Sequence, residues 1–226
     1  MKLLTLLKPN SAVGFSSSLL ITILTVMLCV NYIDHQVVTY LNEHPFKESI
    51  GVSIILSIPV LMGLFSILYI LAYVLTLYKK VGTSLYKDMF IITVTYMVTV
   101  SIKNFLKIAF GRTWPNQTPS FFPDDNIASG LKDRGQLITE GFHPFTGLRE
   151  FASFPSGSTS IAVCFLIMLA VLFPKTRIPA FVIGLSVSVL LVLTNIHYVS
   201  DVIAGLFIGT SAALLSLKVT GRDTTS

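Results

Sequence analysis

The chain has 226 residues, of which 53% are hydrophobic and only 12% charged, with a mean hydropathy of +0.77. That balance excludes an ordinary soluble domain and indicates an integral membrane protein. The net charge of +5 comes from dispersed lysines and arginines that are not interleaved with aromatics, so a nucleic-acid surface is excluded as well.

A helix that crosses a hydrocarbon core of about 30 Å needs roughly 20 apolar residues. Stretches of that kind are predicted at about 13–33, 50–78, 88–110, 155–173, 178–197 and 199–217. The expected fold is therefore all-α, an integral membrane six-helix bundle forming a single domain over 1–226. The first apolar run follows Lys2 and Lys8 as a signal peptide would, but Val26-Met27-Leu28-Cys29 offers no small-residue cleavage site, which favours a retained helix. Cys29 and Cys164 both fall inside apolar spans and read as small buried hydrophobes, not as a disulfide. His35 and His44 fall in the first connection, with no role assigned.

Basic residues near span ends set orientation. With a cytoplasmic amino terminus, that side carries Lys2, Lys8, Lys79, Lys80, Lys87, Lys175, Arg177, Lys218 and Arg222 against only Asp88 and Asp223. Both termini are thus expected in the cytoplasm of a cell whose inner membrane holds the protein as a multi-pass chain. The long polar insertion 111–154, between helices three and four, then falls on the extracytoplasmic (periplasmic) side, and its length marks it as a functional, active-site loop.

Three polar clusters converge on that side. Lys103 and Lys107 are one turn apart, with Arg112 following where the helix ends. A cation beside a membrane span either snorkels to the interface or binds an anion; Lys103 alone favours snorkelling, Lys107 with Arg112 favours phosphate. Pro155-Ser156-Gly157-Ser158-Thr159-Ser160 reads as a capped helix start whose free backbone N–H groups can cradle an anion. In His197-Tyr198-Val199-Ser200-Asp201, the histidine and aspartate are four residues apart. The carboxylate can accept the Nδ1 proton and leave Nε2 as nucleophile or base, or the two can simply be a buried polar pair between helices. No histidine has metal-ligand spacing, so no metal and no cofactor is expected.

Together these residues resemble the lipid phosphate phosphatase (type 2 phosphatidic acid phosphatase) superfamily, over about Lys107 to Gly205. The family pattern is a lysine followed after six residues by Arg-Pro, then Pro-Ser-Gly-His, then Ser-Arg followed after five residues by His and after three more by Asp. The resemblance implies metal-independent covalent catalysis, with His197 as the nucleophile that becomes a phosphohistidine and Asp201 orienting it. Lys107 and the backbone at Ser156 and Gly157 would hold phosphoryl oxygens.

This chain departs from the pattern at three places. Trp114 stands at the family arginine, with Arg112 two residues earlier as a substitute. Leu190 and Leu191 stand at Ser-Arg, with Arg149 as a possible replacement for the missing arginine. Ser158 stands where the family histidine protonates the leaving group, and His143 in the loop is the candidate substitute acid, against the reading of it as a surface histidine among interfacial aromatics. General acid catalysis is worth about 100- to 10,000-fold. It matters most for an alkoxide leaving group, about as basic as hydroxide (water pKa about 15.7), and least for a phosphate, whose second pKa is near 6. The expected function is a membrane lipid phosphatase acting on a lipid (di)phosphate such as a polyprenyl diphosphate. The alternatives are a lipid phosphotransferase, or a catalytically weak relative that binds or transports lipid phosphate. The expected partners are that lipid and the bilayer.

Overall fold

The computed structural model describes residues 12–47, 49–78, 84–115, 140–147 and 149–221. Seven α-helices occur among them: α1 Ala12–Tyr32, α2 Asp34–Glu43, α3 Ile50–Tyr78, α4 Ser84–Phe110, α5 Gly157–Leu172, α6 Arg177–Leu193 and α7 Val199–Val219. No strand is present among the described residues, only an isolated bridge between Arg112 and Phe142. The all-α expectation holds.

Five helices, α1, α3, α4, α6 and α7, are long and apolar enough to cross a membrane. The chain is a multi-pass membrane protein. The fourth predicted span is shorter than expected: α5 has 16 residues, because Pro155 lies in a bend and Ser156 is the extended cap, and Phe173 closes it ahead of a 3-10 turn at Pro174–Thr176. The expected span to residue 197 stops at Leu193. Asn195 takes a left-handed backbone (φ 55°) there, and the amides of Ile196 and His197 both turn back to the Leu191 carbonyl. One helix was not expected at all. α2 occupies what reads as the first loop, burying Val38 and Leu41 along one face.

α5 is the centre of the bundle, buried along most of its length, and packs chiefly on α7, α6 and α4. Its contact with α7 is close because Gly205 and Gly209 face it one turn apart. A Cβ on Gly205 would stand 2.7 Å from the Ser156 carbonyl, and one on Gly209 would stand 2.4 Å from that of Ser160. Small residues at this spacing let helix backbones touch in a membrane, where the hydrophobic effect supplies no net drive between helices. Interhelical hydrogen bonds add to the fit: Thr95 donates to Ser216 (2.5 Å) and Thr99 to the Cys164 thiol (3.3 Å). Cys164 and Cys29 are free and buried. Outward faces are apolar, with Leu20, Leu24 and Leu28 on α1 and Ile178, Phe181 and Leu185 on α6 exposed as lipid-facing side chains are.

The long insertion is described only at its two ends; 116–139 and Leu148 lie outside the described residues, as do Lys2, Lys8, Lys79, Lys80, Arg222 and Asp223. The two ends fold onto each other. The His143 amide donates to the Gly111 carbonyl (2.7 Å), the Phe145 amide to that of Ile108 (2.8 Å) and the Ser153 amide to that of Arg112 (3.0 Å). Gly111 makes this closure possible: its φ is +56°, and a Cβ there would fall 1.9 Å from the His143 carbonyl oxygen, so no side chain fits.

Candidate active site

Three helix ends meet where the two described ends of the insertion join: the end of α4, the start of α5 and the start of α7. His197 stands two residues before α7, and Asp201 occupies the first turn of that helix. The Asp201 carboxylate therefore faces back along the chain, its Oδ2 accepting from the Tyr198 amide (3.3 Å) as a first-turn acid does. The same Oδ2 is 3.2 Å from His197 Nδ1 and accepts a short hydrogen bond from the Ser153 hydroxyl. The pair is buried, His197 4% exposed and Asp201 not at all. With Nδ1 turned to the carboxylate, Nε2 is the ring nitrogen left for chemistry.

Arg112 is where the structure departs most from expectation. It was expected to grip phosphate, but it is 2% exposed and does not line the cavity described below. Its guanidinium donates to Asp201 Oδ1 (2.7 Å), to Asp34 Oδ2 (2.8 Å) and to the Ser200 hydroxyl (2.5 Å), and it stacks 3.7 Å from the Tyr198 ring centre. The physical reason is charge: a buried arginine needs carboxylates, and α2 brings Asp34 to it. Asp34 also accepts from the Ser200 amide (3.1 Å) and the Ser200 hydroxyl, capping the start of α7 from another element. Burial works against the arginine charge, and the carboxylates of Asp201 and Asp34 overcome it, holding its pKa above the ordinary value.

A cavity of about 460 Å³ opens beside His197. Its polar wall is His197, Lys107, Lys103, Trp114, Gly157 and Ser158; its apolar wall comes from α3, with Pro59, Gly63 and Leu64, and from Tyr96 and Ile161. The Lys107 ammonium donates to the Ala152 and Ser153 carbonyls and stands 4.9 Å over the Trp114 ring. Trp114 covers the imidazole, ring centres 5.0 Å apart, and is pinned by its indole N–H donating to the Arg149 carbonyl (2.8 Å). The structure thus brings Lys107, Gly157, Ser158 and His197 to one cavity, with Asp201 behind the histidine.

Three other expected site residues are elsewhere. The Ser156 hydroxyl caps α5, accepting from the Thr159 amide and donating to the Thr159 hydroxyl (2.9 Å), and its backbone amide donates to the Asp201 carbonyl. It is fully buried and ties α5 to α7 without lining the cavity. Arg149, in a 3-10 turn (Arg149–Phe151), is exposed and contributes its carbonyl to Trp114, not its side chain to the cavity wall. His143 packs on the Phe151 ring (4.6 Å between centres) and is likewise outside the cavity wall. Neither takes up the position of a missing motif residue. Conversely, sequence reasoning passed over Asp34 and Ser153. Asp34 opens a helix whose only apolar signal is the short Val38/Leu41 pair, and Ser153 carries no signal at all.

Burial lowers the His197 pKa below its ordinary value. Asp201 pulls it upward, and Lys107 and Arg112 add to the lowering. The neutral imidazole, the nucleophilic form, is thereby favoured near neutrality. Among the described residues no three His, Cys, Asp or Glu side chains are grouped to hold a metal ion.

Residues 88–224 match the model of the PAP2 superfamily. The chain belongs to that superfamily. This agrees with the resemblance carried by Lys107, the Pro155 to Ser158 stretch and the His197/Asp201 pair. Two curated relatives are similar to this PAP2 chain over part of its length. A lipid A 1-phosphatase of Rhizobium johnstonii is 34% identical over 121 residues, 54% of this chain and 43% of the relative. A lipid A 1-phosphatase of Rhizobium etli is 34% identical over 121 residues, 54% of this chain and 45% of the relative. The matched part spans less than half the length of these relatives. No solved structure matches the chain.

Proposed function

We propose that this chain is a membrane phosphatase that removes the terminal phosphate of a lipid diphosphate, such as a polyprenyl diphosphate, through a phosphohistidine at His197. The observation that carries the reading is the cavity itself: a buried imidazole backed by Asp201 opens into a space with two lysines at one end and an apolar wall at the other. Such a space suits a molecule with a phosphate head and a hydrocarbon body.

His197 Nε2 attacks the terminal phosphorus, and the bond from that phosphorus to the bridging oxygen breaks. Its electron pair departs on that oxygen, now part of a lipid monophosphate. Lys107 and the α5 amides at Gly157 and Ser158 neutralise the equatorial oxygens, taking the part that a metal has elsewhere. Asp201 balances the positive imidazole, held in position by Arg112 and Ser153. Water then attacks the phosphohistidine, inorganic phosphate leaves, and the neutral imidazole is regenerated as the proton from water goes to the phosphate or to solvent.

Ser158 favours the diphosphate, because a phosphate leaves without a strong acid whereas an alkoxide does not. The relatives' names support a lipid phosphate as the substrate class, and they make a lipid A phosphate the competing substrate to test. α5 completes a six-span bundle in this reading, with both termini cytoplasmic and the cavity opening on the extracytoplasmic side.

The test is phosphate release by the purified chain from farnesyl diphosphate, farnesyl monophosphate and lipid A, with His197→Ala alongside. Release fastest from the diphosphate and abolished in the variant is expected. Saturable binding with no release from any of the three would leave a lipid-phosphate binding protein instead, and transfer of the phosphoryl group to a lipid alcohol in place of water would make it a phosphotransferase.

A further inference from the structure

Lys103 is a cation in the cavity to which the reaction above assigns no task, and it does not belong to the motif that carries the family resemblance. It is one turn before Lys107 on α4, roughly 6 Å farther from the loop end of the helix. Snorkelling would carry its ammonium to the interface, but its side chain instead runs along the start of α5. A Cβ on Gly157 would meet Lys103 Cδ at 2.9 Å and Nζ at 3.3 Å, so the glycine is what admits it. The ammonium donates to the Asn104 side chain (2.8 Å), which leaves two of its three protons for other acceptors.

The cavity has a direction. Lys107, Trp114 and His197 stand together at its loop end, and along α4 the lining then runs through Lys103, against Gly157, to Tyr96, whose hydroxyl lies against Gly63 of α3. Tyr96 is roughly 16 Å from Lys107 along α4. A phosphoryl group in line with His197 therefore has its leaving group toward Lys103, and the hydrocarbon beyond that.

We infer that the Lys103 ammonium binds the phosphate that leaves, and so makes this chain selective for a lipid diphosphate over a monophosphate. This rests on the assignment of His197 as nucleophile. When the bond from phosphorus to the bridging oxygen breaks, the electron pair stays on that oxygen, within the lipid's remaining phosphate. Lys103 neutralises the new charge as a fixed cation without giving up a proton. A monophosphate has no second phosphate to meet it. Lys103 thus supplies electrostatically what Ser158 does not supply as an acid.

The experiment compares the wild-type chain with Lys103→Met and Lys103→Arg, each checked for folding by thermal unfolding. Turnover is measured on farnesyl diphosphate and farnesyl monophosphate. Binding of inorganic pyrophosphate and inorganic phosphate is read from the fluorescence of Trp114, the chain's single tryptophan, which lines the cavity. Lys103→Met is expected to weaken pyrophosphate binding and diphosphate turnover by about 10- to 100-fold, the range for one charge-assisted hydrogen bond, with phosphate and monophosphate changed by less than about 3-fold. Lys103→Arg should recover most of the loss. Equal losses on both substrates, or no loss on either, would overturn the assignment. If the wild-type chain releases no phosphate at all, the proposed function fails, while the two binding titrations still decide the role of Lys103.

Discussion

Arg112 holds Asp34 and Asp201 apart and in place, donating to one carboxylate at 2.8 Å and to the other at 2.7 Å with all three side chains buried. Asp201 is thereby linked to a helix at the other end of the sequence. An isolated buried charge costs several kcal/mol, so each member depends on the other two.

Removing Asp34 should therefore reach the histidine without touching substrate. Asp34→Ala leaves Arg112 with a single carboxylate and exposes the start of α7, and a loss of about 3–5 kcal/mol in unfolding free energy is expected. Asp34→Asn keeps part of the hydrogen bonding and should lose less. In Asp34→Asn, kcat should fall while KM stays nearly constant, since Asp34 does not line the cavity. Thermal unfolding in detergent and steady-state kinetics check both expectations.

The contact of α5 with α7 sets how His197 and Asp201 face the start of α5. Gly209→Ala would drive a methyl group to 2.4 Å from the Ser160 carbonyl, and the helices must part. A destabilisation of about 1–3 kcal/mol is expected. Activity should fall by more than stability alone explains, because the Ser156 amide to Asp201 carbonyl bond closes the same interface. Comparing turnover well below the unfolding midpoint with the unfolding curve tests this.

The pH profile follows from the direction of the His197 shift. Its pKa is lowered, chiefly by burial, so the neutral nucleophile persists below the ordinary imidazole value of about 6.5. kcat/KM should stay flat down to about that pH and fall as pH drops through the lowered value. Asp201 opposes the lowering, so in Asp201→Asn the residual acid limb should move to still lower pH, along with a large loss of rate. A limb that moves upward in that variant would contradict the assigned pairing.

Ser158 lines the cavity, and the family resemblance leads us to expect a proton donor at its position. Ser158→His should raise turnover of farnesyl monophosphate by about 100-fold or more, while farnesyl diphosphate, which needs no strong acid, changes little. The ratio of the two rates in one preparation is the measurement, and it is insensitive to the fraction of folded protein.

The sequence made the spans legible because their apolar runs are long and their breaks carry Pro, Gly or charge. It made the His197/Asp201 pair legible because a four-residue interval between an imidazole and a carboxylate is local and chemically distinctive, and Lys107 because a cation at the end of an apolar span stands out. What it did not disclose is pairing at a distance. Arg112 read as a phosphate ligand because a cation near an anion cradle suggests one, and nothing in one sequence says that a carboxylate 78 positions earlier comes back to neutralise it. α2 was hidden for a similar reason: ten residues with two buried apolar side chains make a weak pattern beside the runs that flank it. The shortened end of α6 depends on the left-handed Asn195, a conformation that asparagine permits and does not compel.

In the proposed reaction His197 carries the phosphoryl group. The most direct measurement is to mix the purified chain with farnesyl diphosphate labelled in its terminal phosphate, quench rapidly in alkali, and map the label by peptide mass spectrometry. A phosphoryl group on His197 that forms and decays at least as fast as turnover, and that is absent in His197→Ala, is expected. Unlabelled His197 during active turnover, together with undiminished phosphate release by His197→Ala, would contradict it.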